Sequence, residues 1–181
     1  MAVLNIHERR LAAPGDAVGA LIDQLASTDD RLWPRDRWPA MRFDRPLAVG
    51  AAGGHGPVRY TVVGYAPGMW VRFAFTGPRG FVGFHEYTVY QSGPTDTLLR
   101  HTLAMRLTGA ARLTWPALYR ALHDALIEDS LDRAEWAVAG GDGRGARWSA
   151  YVRALRRLAG RRRPATAPSR PRPGAHPGPR T

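Results

Sequence analysis

The sequence predicts an α+β domain in which an antiparallel sheet carries a long C-terminal helix across one face. Three observations make the prediction. From Val58 to Thr108 the apolar residues recur with period two, in four runs broken by turns that contain Gly and Pro, the mark of consecutive antiparallel strands. From Leu113 to Val138 they recur at helical spacing over about 39 Å, and so long a helix needs a surface that only the sheet offers. A strand and a shorter helix come first in the chain.

Residues 2–12 read as that first strand, with Val3, Glu8 and Arg10 alternating imperfectly against Leu4, Ile6 and Leu11. Pro14-Gly15-Asp16 ends it. Asp16 is placed as the N-cap of an amphipathic helix that runs to about Ala26, on the spacing of Val18, Leu21, Ile22 and Leu25. Ser27-Thr28-Asp29-Asp30 then caps a short second helix or turn around Arg31 to Trp33, and prolines at 34, 39 and 46 make the next stretch irregular. The four strand runs are 58–65, 69–76, 81–91 and 97–108, joined by connections short enough for hairpins, so a meander is the simplest topology. The long helix spans 113–138, with Pro116 tolerated in its first turn and Gly140-Gly141 beyond its end. Its apolar face is Leu118, Leu122, Leu126, Ile127, Leu131, Ala134 and Val138.

Composition divides the chain. Of 181 residues, 26 are basic, all of them Arg, against 15 acidic, for a net charge of +11. Residues 1–139 hold 15 Arg and 14 acidic groups, whereas 140–181 hold 11 Arg and only Asp142. The excess charge therefore belongs to a tail, 140–181, behind a near-neutral domain, 1–139. Within the tail, 146–158 reads as a short basic amphipathic helix that either touches an anionic lipid surface or nucleic acid, or docks on its own domain. The Arg- and Pro-rich end after it is expected to be disordered. Weak electrostatic contact with anionic surfaces is expected of the tail, without specific nucleic-acid binding, and 140–181 is expected to be dispensable for the fold. The absence of cysteine excludes a disulfide scaffold or a zinc-cysteine module. No run of 18 apolar residues and no export-type leader is read, so a cytoplasmic location follows by default.

The element order, and particular segments within it, resemble the START-like (SRPBCC) superfamily, near the polyketide cyclase and lipid-transport-like proteins. The segments are Pro14-Gly15-Asp16-Ala17-Val18, Gly53-Gly54-His55-Gly56-Pro57-Val58-Arg59-Tyr60, Tyr65 through Phe73, Gly80-Phe81-Val82-Gly83-Phe84-His85, and Leu122 through Asp129. The resemblance covers roughly 1–139. It implies a helix-grip fold, a curved antiparallel sheet wrapped around the long C-terminal helix, with a cavity between them for an apolar or aromatic small molecule. Carriers, receptors and aromatase/cyclases share that fold, so the fold does not choose among them.

Strand alternation gives Phe81, Gly83, His85, Tyr87 and Val89 one face, and Leu99, His101, Leu103, Met105 and Leu107 one face of the next strand, both inward. A turn at 92–96 sets Tyr87 beside His101 and His85 beside Leu103, so the two imidazoles become diagonal neighbours, and His123 on the helix can face them. Such a triple has the chemistry for acid/base work or a metal, but inward histidines in an apolar pocket more often serve as hydrogen-bonding handles. The reading is a ligand-binding set of Tyr60, Val62, Val71, Phe73, Phe81, His85, Tyr87, His101, Leu103, His123 and Ile127, with no metal and no cofactor. A cyclase-like enzyme, with His85, His101 and His123 as acid/base groups, is the alternative.

Other features read as structural. Met69, Val71, Phe73 and Phe75 form one apolar row. Gly64 and Gly83 bend the sheet or leave room for a ligand. Arg59, Arg72, Arg100 and Arg106 point outward from the sheet. Asp124, Glu128, Asp129, Asp132 and Glu135 form a solvated helix face. The loop holding Trp33 and Trp38 either covers the cavity mouth or packs on the sheet edge. His55 lies in a glycine-rich turn that no helix follows, which argues against a phosphate loop.

Overall fold

The alternating runs close into one curved seven-stranded antiparallel sheet, ordered β1-β7-β6-β5-β4-β3-β2, so the first strand lies beside the last. The computed structural model describes residues 1–141, 143, 145 and 147–161; the Pro- and Arg-rich segment expected to be disordered lies, from Arg162 on, outside the described residues. The strands are β1 (Ala2–Leu11), β2 (Arg42–Phe43), β3 (Ala52–His55), β4 (Val58–Ala66), β5 (Trp70–Gly77), β6 (Phe81–Gly93) and β7 (Asp96–Leu107). The helices are α1 (Gly15–Asp23), α2 (Ala111–Thr114), α3 (Arg120–Ala139) and α4 (Ala150–Arg161), with a π-helical turn over Trp115–Tyr119 between α2 and α3.

The β6–β7 hairpin has the expected register, with Tyr87 opposite His101 and His85 opposite Leu103. Bulges in β4, between Arg59 and Tyr60 and between Val62 and Gly64, help to curve the sheet. At Gly64 the room left by the missing side chain is taken by the Trp70 indole, 2.4 Å from where a Cβ would sit, so no ligand occupies it. Met69 falls outside β5 and is 61 % exposed, which removes it from the apolar row.

Two local expectations are corrected, and a third is narrowed from a helix or turn to turns alone. Pro14, in extended conformation, precedes α1, so Asp16 lies inside the first turn and its carboxylate accepts from the Ala17 N–H. The segment after α1 forms turns, because the buried Asp30 carboxylate accepts from the backbone of Ala26, Leu32 and Trp33 and holds the loop compact. The C-terminal helical stretch starts at Ala111, which puts Pro116 inside it. Proline has no N–H and its ring crowds the preceding turn, and the chain widens there into the π-helical turn.

The largest correction concerns the acidic side of α3. In β1 the row Asn5, His7 and Arg9 faces α3, and the apolar Leu4 and Ile6 are exposed at 68 % and 47 %. Asn5 donates to Asp124 at 2.9 Å, His7 Nδ1 meets Glu128 at 2.6 Å, and Arg9 meets Asp132 at 2.9 Å and Glu135 at 2.6 Å. Two residues along a strand advance about 6.7 Å and four along a helix 6.0 Å, so the two series run side by side without falling out of step. The acidic face is a seam, not a solvated surface.

Asp129 turns to another side of α3, 1 % exposed, and accepts from Arg37 at 2.5 Å, Trp38 Nε1 at 2.6 Å and Trp148 Nε1 at 2.9 Å. This node docks the tail helix. Val152 is buried, and the Arg37 and Arg156 guanidiniums each lie 4.2 Å from the Trp148 ring centre. Of the two fates open to the tail helix, docking on its own domain is the one observed. A chain ending at Ala139 is accordingly expected to melt about 5–10 °C below the full chain, since losing Trp148 and Val152 removes roughly 2–3 kcal/mol of apolar burial. Differential scanning calorimetry of both chains measures this, and equal melting temperatures would mean that α4 contributes nothing to the fold.

Candidate ligand-binding site

Buried apolar residues form two clusters. One surrounds α1 and the second half of α3, with Val18, Leu21, Ile22 and Leu131 at its heart, and the other gathers Phe81, Leu103, Met105, Leu107, Ala111 and Trp115. Between them lies a cavity of about 1160 Å³. Its sheet wall is Phe75, Phe81, His85, His101 and Leu103, and its helical wall is Trp115, Leu118, Tyr119, Leu122, His123, Leu126 and Ile127. The Trp33–Trp38 loop and the β2–β3 hairpin close one side, and the cavity meets solvent past Arg35, Arg42, Asp44, Arg59 and Arg156.

Local sequence explains the walls. The π-helical turn brings Trp115 and Tyr119 to the same ring, with centroids 5.8 Å and 5.1 Å from Phe81. Trp33 and Trp38 are both buried, and their indole N–H groups are taken by Pro39 O at 3.0 Å and by Asp129. The tryptophan loop therefore both packs and lines the cavity, and its hydrogen bonds hold it in place.

A file of imidazoles crosses the wall. His85 Nδ1 lies 3.3 Å from His101 Nε2, and the His101 and His123 ring centres are 5.2 Å apart. Tyr60 OH and His55 Nδ1 share a hydrogen bond at 3.1 Å, and the Tyr60 and His85 rings meet edge-on at 4.8 Å. Burial lowers the pKa of His85 and His101 well below the ordinary histidine value, lowers that of His123, and brings His55 down to about 3. These rings are neutral at neutral pH. His85 Nε2 and His101 Nδ1 are buried and have no hydrogen-bond partner among the described residues.

Of the residues singled out in the sequence, Phe81, His85, His101, Leu103, His123 and Ile127 line the cavity. Tyr60, Val62, Val71, Phe73 and Tyr87 do not; they belong to the first cluster, where α1 and α3 fill the space above the sheet. The Tyr87 hydroxyl is committed to Ser130 Oγ at 2.9 Å, which in turn donates to Leu32 O at 3.0 Å. Trp115, Tyr119, Phe75 and His55 were missed. Phe75 was legible as the next member of the Val71–Phe73 row, and Trp115 is one residue before the Pro116 that turns it inward. His55 carried no signal, because Gly53-Gly54 in β3 has no side-chain pattern to reveal a strand.

No protein-family model matches the chain, and no curated protein matches it in sequence. Solved structures do match in fold. CalU16 from Micromonospora echinospora is 16 % identical at a TM-score of 0.56, over 88 % of this chain and 84 % of that one. Norcoclaurine synthase from Thalictrum flavum, in complex with dopamine and hydroxybenzaldehyde, is 12 % identical at 0.59, over 80 % and 90 %. The Aha1 dimer from Colwellia psychrerythraea is 14 % identical at 0.52, over 78 % and 99 %. The chain shares the helix-grip fold of these structures. No helix among the described residues is long and apolar enough to cross a membrane.

The depressed pKa values set a pH dependence. Unfolded, His55, His85 and His101 take up protons near pH 6.5, while folded they stay neutral to lower pH, so their contribution is complete above about 6.5 and is lost as pH falls. The loss is roughly 1.4 kcal/mol per pH unit for each ring. His7, raised by its hydrogen bond to Asp124, opposes this with one group. The melting temperature is expected to fall steeply from pH 7 to pH 5; calorimetry across that range checks it, and a flat profile would show that the folded rings take up protons over the same range as the unfolded ones.

Proposed function

We propose that the protein binds an aromatic small molecule carrying a hydroxyl or keto group, in the cavity between the sheet and the first half of the C-terminal helix. One observation carries the reading: a cavity of about 1160 Å³, walled mostly by aromatic and aliphatic side chains, has in its wall two buried histidines, each with one nitrogen that finds no partner among the described residues. An unmet hydrogen-bonding group costs about 1–3 kcal/mol when buried, and a ligand oxygen that reaches either ring recovers part of it. That a protein of the same fold holds dopamine and hydroxybenzaldehyde, both aromatic and hydroxylated, supports this class of ligand. The tail, in this reading, adds only weak, salt-sensitive contact with anionic surfaces.

The test uses 2-naphthol, a fluorescent two-ring phenol, together with native mass spectrometry of whatever co-purifies. Leu122→Trp fills the cavity from the helix side and is expected to weaken 2-naphthol binding at least about tenfold with little change in melting temperature. His101→Leu is expected to cost about tenfold through the lost hydrogen bond. Binding that ignores Leu122→Trp would move the site out of the cavity.

A cyclase-like enzyme is the second reading, favoured by the continuity of the His85, His101 and His123 rings, because neutral imidazoles in contact can accept and pass protons. Replacing each by Gln keeps a polar group and removes titration. Turnover of a polyketo substrate is then expected to fall by orders of magnitude while binding persists. Equal loss of both in all three variants would favour a carrier.

A further inference from the structure

Beside the cavity, and sharing only His123 with the histidine file weighed above, the end of the β1–α3 seam gathers a second donor set. His7, His123 and Asp124 each present one ligand atom within 4.8 Å of the other two. His7 Nε2 lies 3.3 Å and His123 Nδ1 3.5 Å from the same oxygen, Asp124 Oδ1. Around a tetrahedral ion with bonds of about 2.0–2.1 Å, neighbouring donor atoms stand about 3.3–3.4 Å apart, so two of the three edges already have the length a bound ion requires. The third needs the two imidazoles, with ring centres 6.0 Å apart, to close slightly.

The surroundings match those of a metal ligand set. Glu128 takes His7 Nδ1 at 2.6 Å, leaving Nε2 as the atom turned toward Asp124; a carboxylate on the far nitrogen is what fixes a ligating histidine and strengthens it as a donor. Asn5 donates to Asp124 Oδ1 at 2.9 Å and holds the carboxylate in place. The side chains of His7 and His123 are 13 % and 15 % exposed, shielded yet reachable. Each position comes from a fixed element: His7 from the middle of β1, and His123 and Asp124 from the first turn of α3, directly after the π-helical turn.

We propose that His7, His123 and Asp124 bind a divalent first-row transition metal of the zinc type, with Glu128 and Asn5 as positioning residues. Two imidazole nitrogens and one carboxylate oxygen are a borderline donor set suited to such ions rather than to calcium or magnesium. On binding, the ion displaces the proton on His7 Nε2 to solvent while Nδ1–H remains donated to Glu128, and the neutral His123 ring binds through Nδ1 with its proton on Nε2. Three protein ligands leave a coordination position for water or an oxygen of a bound molecule. Because His123 also lines the cavity, the ion would stand at its wall. The assignment does not depend on what the cavity holds.

The full chain, stripped with chelator, is titrated with Zn²⁺ by calorimetry and with Co²⁺ by visible absorption. One site per chain is expected, with cobalt bands of a four- or five-coordinate ion, and X-ray absorption of the zinc-loaded protein is expected to show two imidazoles. His7→Gln and Asp124→Asn are expected to weaken Zn²⁺ about 100-fold, and Glu128→Gln about tenfold, each checked for native fold by circular dichroism. His101→Gln leaves Zn²⁺ affinity unchanged. Absence of stoichiometric binding, or an absorption spectrum without two imidazoles, overturns the proposal even if a variant misfolds. Loss with His101→Gln and not with His7→Gln overturns it by placing the ion on the cavity histidines.

Discussion

The seam between β1 and α3 is the constraint on which the rest of the structure depends. A sheet that grips a helix through apolar contact alone would pull it down until the space between them filled. Here α3 is tied along one edge by Asn5, His7 and Arg9 to Asp124, Glu128, Asp132 and Glu135, and on another side by Asp129 to Arg37, Trp38 and Trp148. Polar contacts of fixed length hold the helix at a set height. Leu126, Ile127, Leu131 and Ala134 pack where α1 also contributes, and the first half of the helix, held at its edge to β1, stands off β5, β6 and β7 across the cavity.

The cavity then follows from two local irregularities. Pro116 forces the wide turn that presents Trp115 and Tyr119, and these close the far wall against Phe81. At the near wall Asp30 and Asp129 pin the loop that carries Trp33 and Trp38. The four cavity histidines sit between these rigid walls as neutral rings, a costly arrangement for a protein that only needed a core. Phenylalanine or leucine at the same places would have left no nitrogen unpaired. Retaining polar atoms there is a stability concession of the kind functional sites make.

Much of this was legible from sequence because β6 and β7 alternate cleanly and are joined by a short turn; their register, and the contact of His85 with His101, follow from counting residues. β1 shows the opposite case. Its apolar Leu4 and Ile6 face solvent and its polar row faces the helix, so hydropathy alone assigns the two faces the wrong way round, and the acidic residues of α3 then look solvated. Complementary charge across elements distant in sequence leaves no periodic trace. Nor does depth along a strand: alternation puts Val62, Val71 and Phe73 on the correct face, but whether that face meets a cavity or packed side chains depends on where α1 lies. β2 and β3, two and four residues long, are too short and too glycine-rich to register.

Whether the cavity histidines receive a ligand can be read from the imidazole nitrogens themselves. Long-range ¹H–¹⁵N spectra of the full chain, recorded at pH 7 with and without 2-naphthol, resolve Nδ1 and Nε2 of each ring. Neutral His85 and His101 rings are expected, and their nitrogens without a partner among the described residues, Nε2 and Nδ1 respectively, are expected to shift on binding while His7, outside the cavity, changes little. Saturable binding that leaves both rings unmoved, or that moves only surface resonances, would contradict this expectation.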